Sequence, residues 1–139
     1  MAENKNSVAG IAIQGSRIFI ARRTAGGDLG GKWEFPGGKV EINESADTAL
    51  KREYLEEFEL PVKVGAQICS SVFEHHGVVF NLSAYRIYFD SAFKNIRLKE
   101  HTEWKWALLT EIRTLDFADS DRGLLQALEL YISQDGCVE

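Results

Sequence analysis

Residues 50–60, LKREYLEEFEL, put four acidic side chains and one arginine into a stretch without Gly or Pro. Its Leu, Lys, Arg and Glu are good helix formers. At about 100° per residue, Ala46, Ala49, Leu50, Glu53 and Glu57 fall on one stripe. The two alanines and the leucine belong to the inner side of a helix, so the stripe aims two carboxylates inward. A buried carboxylate without a partner is costly and becomes either neutral or paired. Glu53, Glu56 and Glu57 stand at i, i+3 and i+4, the spacing that brings helix side chains together. Lys51 and Arg52 point more outward on the wheel and cannot neutralise all three. A hard divalent cation can, because Mg²⁺ takes carboxylate, carbonyl and water oxygens and commonly shares them with substrate phosphates. The competing reading is a solvated helix face, the usual place for glutamate; the stripe shared with Ala46, Ala49 and Leu50 argues against it.

The preceding loop, FPGGK at 35–39, adds to the pattern. Two adjacent glycines let a backbone turn sharply and approach a ligand closely. Carbonyls exposed there would complete a metal shell. Alone the loop is an ordinary turn, but Gly-Gly followed at fixed distance by E-x8-E-x2-E-E is far rarer by chance.

The rest of the chain must position these groups. SVAGIAI (7–13) and RIFIARR (17–23) flank QGS and read as a hairpin. TAGGDLGGK (24–32) is a Gly-rich loop, and WEFPGGKVE (33–41) a short strand, a turn and an extended segment. Ser45 is placed to cap a helix running to about Phe58. Two β-rich runs, 61–76 and 78–90, turn about Gly77, with His75 and His76 in the hairpin loop. FKNIRLKE (93–100) and EWKWALL (103–109) read as further strands. DSDRGLLQALELYIS (119–133) reads as one amphipathic helix with Leu124, Leu125, Leu128 and Ile132 on its stripe and Ser120 as cap. The expected fold class is α+β, one mixed sheet with at least two helices.

Composition narrows the partners. With 139 residues, 45% hydrophobic and 27% charged, the chain suffices for one domain with a core. No apolar run approaches the ~20 residues of a membrane helix, and MAENKNSVAG lacks the regions of a secretory signal. Cys69 and Cys137, far apart and outside metal-ligand spacing, suit a reducing cytoplasm without a structural disulfide. The net charge of −5 disfavours a nucleic-acid polymer, yet allows a small polyanion where local positive charge is supplied.

GKVEINESADTALKREYLEEFEL resembles the Nudix box, G-x5-E-x7-R-E-U-x-E-E-x-G-U with U apolar, through Gly38, Glu44, Arg52, Glu53, Glu56, Glu57 and Leu60. Two positions depart: Tyr54 is a bulky U, and Glu59 stands where the family has the Gly that ends the helix in a left-handed conformation. A Glu in that conformation costs about 1–2 kcal/mol, so either the helix ends differently or Pro61 stops it. The resemblance extends through IARRTAGGDLGGKWEFPGGKVE and EHTEWKW to the MutT-like branch, including its CTP-pyrophosphohydrolase-like members.

It implies a single Nudix domain over 1–139, an α/β/α sandwich with a mixed central sheet. The implied activity is hydrolysis of nucleoside triphosphates to monophosphate and pyrophosphate, in nucleotide sanitation of 8-oxo-dGTP or (d)CTP-like nucleotides. Glu53, Glu56 and Glu57, with the Gly37 or Gly38 carbonyl, would bind Mg²⁺ or Mn²⁺. Arg52 would orient a glutamate through a bidentate pair, and Glu44 would bond back to the loop or helix. Glu100 would join the metal site or assist the water, while His101 reads as a loop residue. Arg23 would hold a terminal phosphate, Phe35 would line the pocket, and Asp121 would read the base edge or else cap the helix beside Ser120. The expected partner is a small-molecule nucleotide, with no nucleic-acid polymer and no membrane, for a cytoplasmic monomer or homodimer. The rivals are a nucleotide-sensing Nudix domain, which usually loses box carboxylates, and a Nudix hydrolase of ADP-ribose, a dinucleoside polyphosphate or a nucleotide sugar.

Overall fold

The computed structural model describes residues 4–27, 30–90 and 95–134. Strand β1 (Asn4–Gln14) is the central strand. Its last residues turn through Gly15 into β2 (Arg17–Arg23), with Ile13 opposite Ile18. Its middle pairs on one side, antiparallel, with β4 (Gly37–Lys39). On the other side it runs parallel to β6 (Val78–Phe89) over nine registered pairs, from Asn4–Val79 to Ala12–Ile87. Beyond β6 lies β5 (Val62–His75), the other arm of the hairpin about Gly77. Short β3 (Trp33–Glu34) and β7 (His101–Leu108) flank β2, both antiparallel. The sheet is therefore mixed.

Alternation along β1 sends side chains to two cores. Ala9, Ile11 and Ile13 join Leu124, Leu128 and Ile132, where helix α4 (Leu125–Gln134) covers one face. Val8 and Ala12 join Leu50, Tyr54 and Phe58, where helix α1 (Ala46–Phe58) covers the other. This is the expected α/β/α sandwich. Among the described residues no helix is long and apolar enough to cross a membrane. Cys69 is a free thiol, and Cys137 lies outside the described residues.

Three expectations need correction. Residues 95–100 form no strand. The Arg97 and Lys99 amides instead donate to Phe58 O (3.1 Å) and Glu57 O (3.2 Å), carbonyls left open where α1 ends; Phe93 and Lys94 lie outside the described residues. The 119–133 helix is broken into α3 (Asp119–Arg122) and α4, the interruption falling at Gly123, a poor helix former. Ser120 is not its cap: Ala118 precedes α3 without a side-chain cap bond. One further short helix, α2 (Leu109–Ile112), follows β7.

Candidate active site

Helix α1 starts as its sequence dictates, with Ser45 Oγ accepting the Thr48 amide at 3.1 Å. It ends at Phe58, and Glu59 takes the left-handed conformation at φ 54°, ψ 41°. The left-handed stop of the box is thus kept without its glycine. Glu59 N–H donates to Leu55 O at 3.0 Å, and Leu60 N–H to Tyr54 O at 3.2 Å. Tyr54 is fully buried, and its hydroxyl donates to Pro36 O (3.1 Å) and Gly10 O (3.3 Å), tying α1 to the Pro-Gly-Gly turn.

Arg52 organises one side of the acidic cluster. Its Nε and Nη2 donate to the two Glu44 oxygens at 2.7 and 2.9 Å, a bidentate pair. Nη2 also reaches Lys39 O at 3.0 Å, and Nη1 reaches Glu53 Oε1 at 2.9 Å and Glu56 Oε1 at 3.3 Å. The Glu44 carboxylate also accepts the Glu41 amide at 2.9 Å. These contacts, the Arg52 hydrogen bond foremost, hold the Glu44 pKa down to about 2. Glu56 stays exposed and Glu53 half-buried, while Glu57 is only 4% exposed.

Among the described residues Glu57 has no such cation, and one of its oxygens, Oε1, is buried without a hydrogen-bond partner. Burial, then the Glu53 carboxyl bonded to it, then Glu34 push its pKa well up. The charge of exposed Glu100 adds to the push. Gly38, on β4, closes the cluster from above: a Cβ there would stand 2.6 Å from Glu53 Oε1.

Two residues join this site that the sequence reading did not place there. Glu34, on β3, is buried, and its Oε2 is hydrogen-bonded with His101 Nε2 at 2.7 Å and accepts from Arg23 Nη1 at 3.3 Å. His101 is no loop residue: it opens β7, is buried, stacks on Phe58 at 4.9 Å and stands 4.0 Å from the free Glu57 oxygen. The available signals were an acidic residue between two aromatics in WEF and the His after Glu100 in EHTEW. Glu34, Glu57 and His101 each offer one ligand atom, all within 4.8 Å of one another. An orphaned buried oxygen among carboxylates and an imidazole is a donor set that fits a divalent cation.

Beside this cluster opens a cleft of about 650 Å³, walled by Arg23, Lys32, Glu34, Gly37, Gly38 and Lys39, with Asp121 at its far side. Three cations supply the local positive charge that an acidic chain needs to take a polyanion. The aromatic wall is Phe73 and Phe80, stacked at 5.0 Å, with Lys39 Nζ 5.6 Å from the Phe80 centroid. The Phe35 ring is elsewhere: it is 2% exposed and packs edge-on against Phe117 in the α4-side core. What Phe35 turns toward the cleft side is its amide, which donates to Asp121 Oδ2 at 2.8 Å. Asp121 is 6% exposed and lies within α3 rather than capping it. Burial, then the charge of Glu34, raise its pKa to about 7 against the lowering by Phe35 N–H.

A central mixed sheet between helices, with an arginine-ordered glutamate cluster beside a basic cleft, defines a class of enzymes that hydrolyse phosphoanhydrides. The NUDIX domain family model matches residues 8–127. The CTP pyrophosphohydrolase of Escherichia coli K12 is 34% identical over 120 residues, covering 86% of this chain and 87% of that protein. The 8-oxo-dGTP diphosphatase of Buchnera aphidicola subsp. Schizaphis graminum is 29% identical over 130 residues, covering 91% and 95%. The solution structure of the E. coli ORF135 protein superposes with a TM-score of 0.82 at 30% identity, over 96% of this chain and 94% of that one. The chain belongs to the Nudix family.

Proposed function

We propose that this protein is a nucleoside triphosphate pyrophosphohydrolase, converting an NTP or dNTP and water to the monophosphate and pyrophosphate. It uses Mg²⁺, with Mn²⁺ as a substitute, and cleans the cytoplasmic nucleotide pool of 8-oxo-dGTP or (d)CTP-like nucleotides as a monomer or homodimer. The observation that carries the reading is Glu57, a box glutamate buried with an unpartnered oxygen next to a cleft whose volume suits a small ligand. Whole-length likeness to a CTP pyrophosphohydrolase and an 8-oxo-dGTP diphosphatase supports the substrate class. An intact set of box carboxylates favours catalysis over sensing.

When bound, the divalent ion offsets phosphate charge and lowers the pKa of a bound water. Glu53, Glu56 and Glu57 would hold it, with the Gly37 or Gly38 carbonyl. Arg52 fixes Glu53 and Glu56 through its Nη1 while anchored on Glu44. Glu100, on the segment against α1, joins the metal site or receives the proton of the attacking water. Arg23 binds the terminal phosphate, and its bond to Glu34 sets its direction. Asp121, held by the Phe35 amide at one oxygen, presents the polar edge that reads the base, while the Phe35 ring stays in the core behind it. Ionised, Asp121 accepts from the cytosine amine; protonated, it also donates, as an oxidised guanine requires.

The test is a panel of (d)CTP, 5-substituted dCTP, dGTP, 8-oxo-dGTP, ADP-ribose and dinucleoside polyphosphates with Mg²⁺. The expected result is pyrophosphate release from triphosphates, abolished by EDTA and restored by Mg²⁺ or Mn²⁺. Phosphate release, preference for a diphosphate derivative, or undiminished turnover after verified metal removal would overturn the proposal.

A further inference from the structure

Glu59 occupies left-handed backbone that glycine would occupy without strain. Its side chain shows what the position gains. The carboxylate pairs with Lys99 Nζ at 2.8 Å and Arg97 Nε at 3.5 Å. Both partners lie on residues 95–100, the segment whose Arg97 and Lys99 amides donate to Phe58 O and Glu57 O. The same segment leads directly into Glu100 and His101. The Glu100 carbonyl accepts the Thr24 amide at 3.2 Å, and His101 stacks on Phe58 and faces Glu57. About half of the Glu59 and Lys99 side-chain surface is open to solvent. A pair so exposed contributes little to stability and does not account for a strained residue.

We propose that Glu59 is a positioning residue, clamping segment 95–100 onto the end of α1 so that Glu100 and His101 stand against Glu57. Two backbone bonds set the height of the segment along the helix end, and the two ion pairs hold its outer edge. The role in turnover rests on the proposed hydrolase reading; the clamp itself does not.

The experiment uses Glu59→Asn, Glu59→Gly, Lys99→Met and the Glu59→Asn/Lys99→Met double variant of the full chain. Asn tolerates left-handed backbone but carries no charge, so it separates clamp from strain. Amide exchange at Arg97 and Lys99 should quicken about 5-fold or more in every variant, without loss of the global fold. On 8-oxo-dGTP or dCTP, kcat should fall about 3- to 10-fold with KM little changed, the pattern of a misplaced group rather than lost binding. The double variant should be no worse than the worse single one. In ~1 M salt, where the Debye length is about 3 Å, wild type should approach the variants. Unchanged exchange at both amides would overturn the clamp whether or not the protein hydrolyses nucleotides. Quickened exchange with unchanged kcat in an active enzyme would overturn its role in positioning.

Discussion

Glu57 and Asp121 are both buried carboxylates, and their neighbours give them different work. Glu57 meets other carboxylates and an imidazole, with one oxygen unpartnered. Its raised pKa means that folding is favoured most below the ordinary value of 4.5 and loses stability as pH rises above it. Glu57→Gln removes that loss, so without metal the variant should melt at the same temperature as wild type or higher at pH 7. The kcat should nevertheless fall by at least about 100-fold, ~2.7 kcal/mol of barrier, and Mg²⁺ should raise the Tm of wild type but not that of the variant. A variant with near-normal kcat would return Glu57 to a structural role. Asp121 instead holds one backbone amide, and its pKa is raised from 3.8 to about 7. Its contribution to stability is complete below pH 3.8 and is lost as pH rises through 7. Asp121→Asn should flatten the stability profile over that window, removing a slope of at most about 1.4 kcal/mol per pH unit. In wild type the kcat/KM ratio of 8-oxo-dGTP to dCTP should fall as pH rises through 7, because the donor is lost. In Asp121→Asn it should be flat and shifted toward 8-oxo-dGTP, by about 1–3 kcal/mol of discrimination. Equal ratios in both proteins at every pH would leave Asp121 as a holder of Phe35 N–H alone.

Strand β4 packs through two glycines with different obligations, Gly37 against β1 and Gly38 against α1. A Cβ on Gly37 would run into the Val8 carbonyl of β1, which is backbone and cannot step aside. On Gly38 the obstacle is the tip of Glu53, a flexible side chain. Gly38→Ala should therefore fold with a nearly unchanged melting temperature while turning Glu53 away from the cluster, lowering kcat about 10-fold or more through lost positioning. Gly37→Ala should lose stability through the β1–β4 pairing instead. Equal behaviour of the two variants would disprove this division. Elements with local signals were legible in the sequence: α1 had Ser45 at its start and an unbroken inner stripe, and the β5–β6 hairpin had Gly77. The alternation in FKNIRLKE points to a strand, and only the fold shows that the open carbonyls of Phe58 and Glu57 take the Arg97 and Lys99 amides. The 119–133 helix was read whole because its stripe continues through the break, while the pull of Phe35 N–H on Asp121 comes from 86 residues away. Glu44, Arg52 and the α1 glutamates form one local motif and could be found together. Glu34 and His101 belong to strands far apart in sequence, and their meeting with Glu57 depends on tertiary structure.

At the scale of the whole molecule, the acidic cluster and the basic cleft are brought together by β1, which is bonded to β2, β4 and β6 at once. The β1–β4 pairing sets Gly38 against Glu53 of α1, and the β2–β3 and β2–β7 pairings bring Glu34 and His101 together beside Glu57. Local hairpins explain most of these neighbours; the parallel pairing of β1 with β6 does not, since Asn4 to Ala12 must find Val79 to Ile87. That pairing gives the molecule a calendar. On the ribosome, β1 emerges before β6 and can close against it only after helix α1 and strand β5 have been made between them. Glu57 then still lacks His101, and the cleft lacks Asp121. Closing such a long loop costs entropy before its contacts return anything, and topologies rich in distant contacts fold slowly. The α1 box is made before β7 and α3, so its glutamates exist before the strand and the helix that bring His101 and Asp121 beside the cleft.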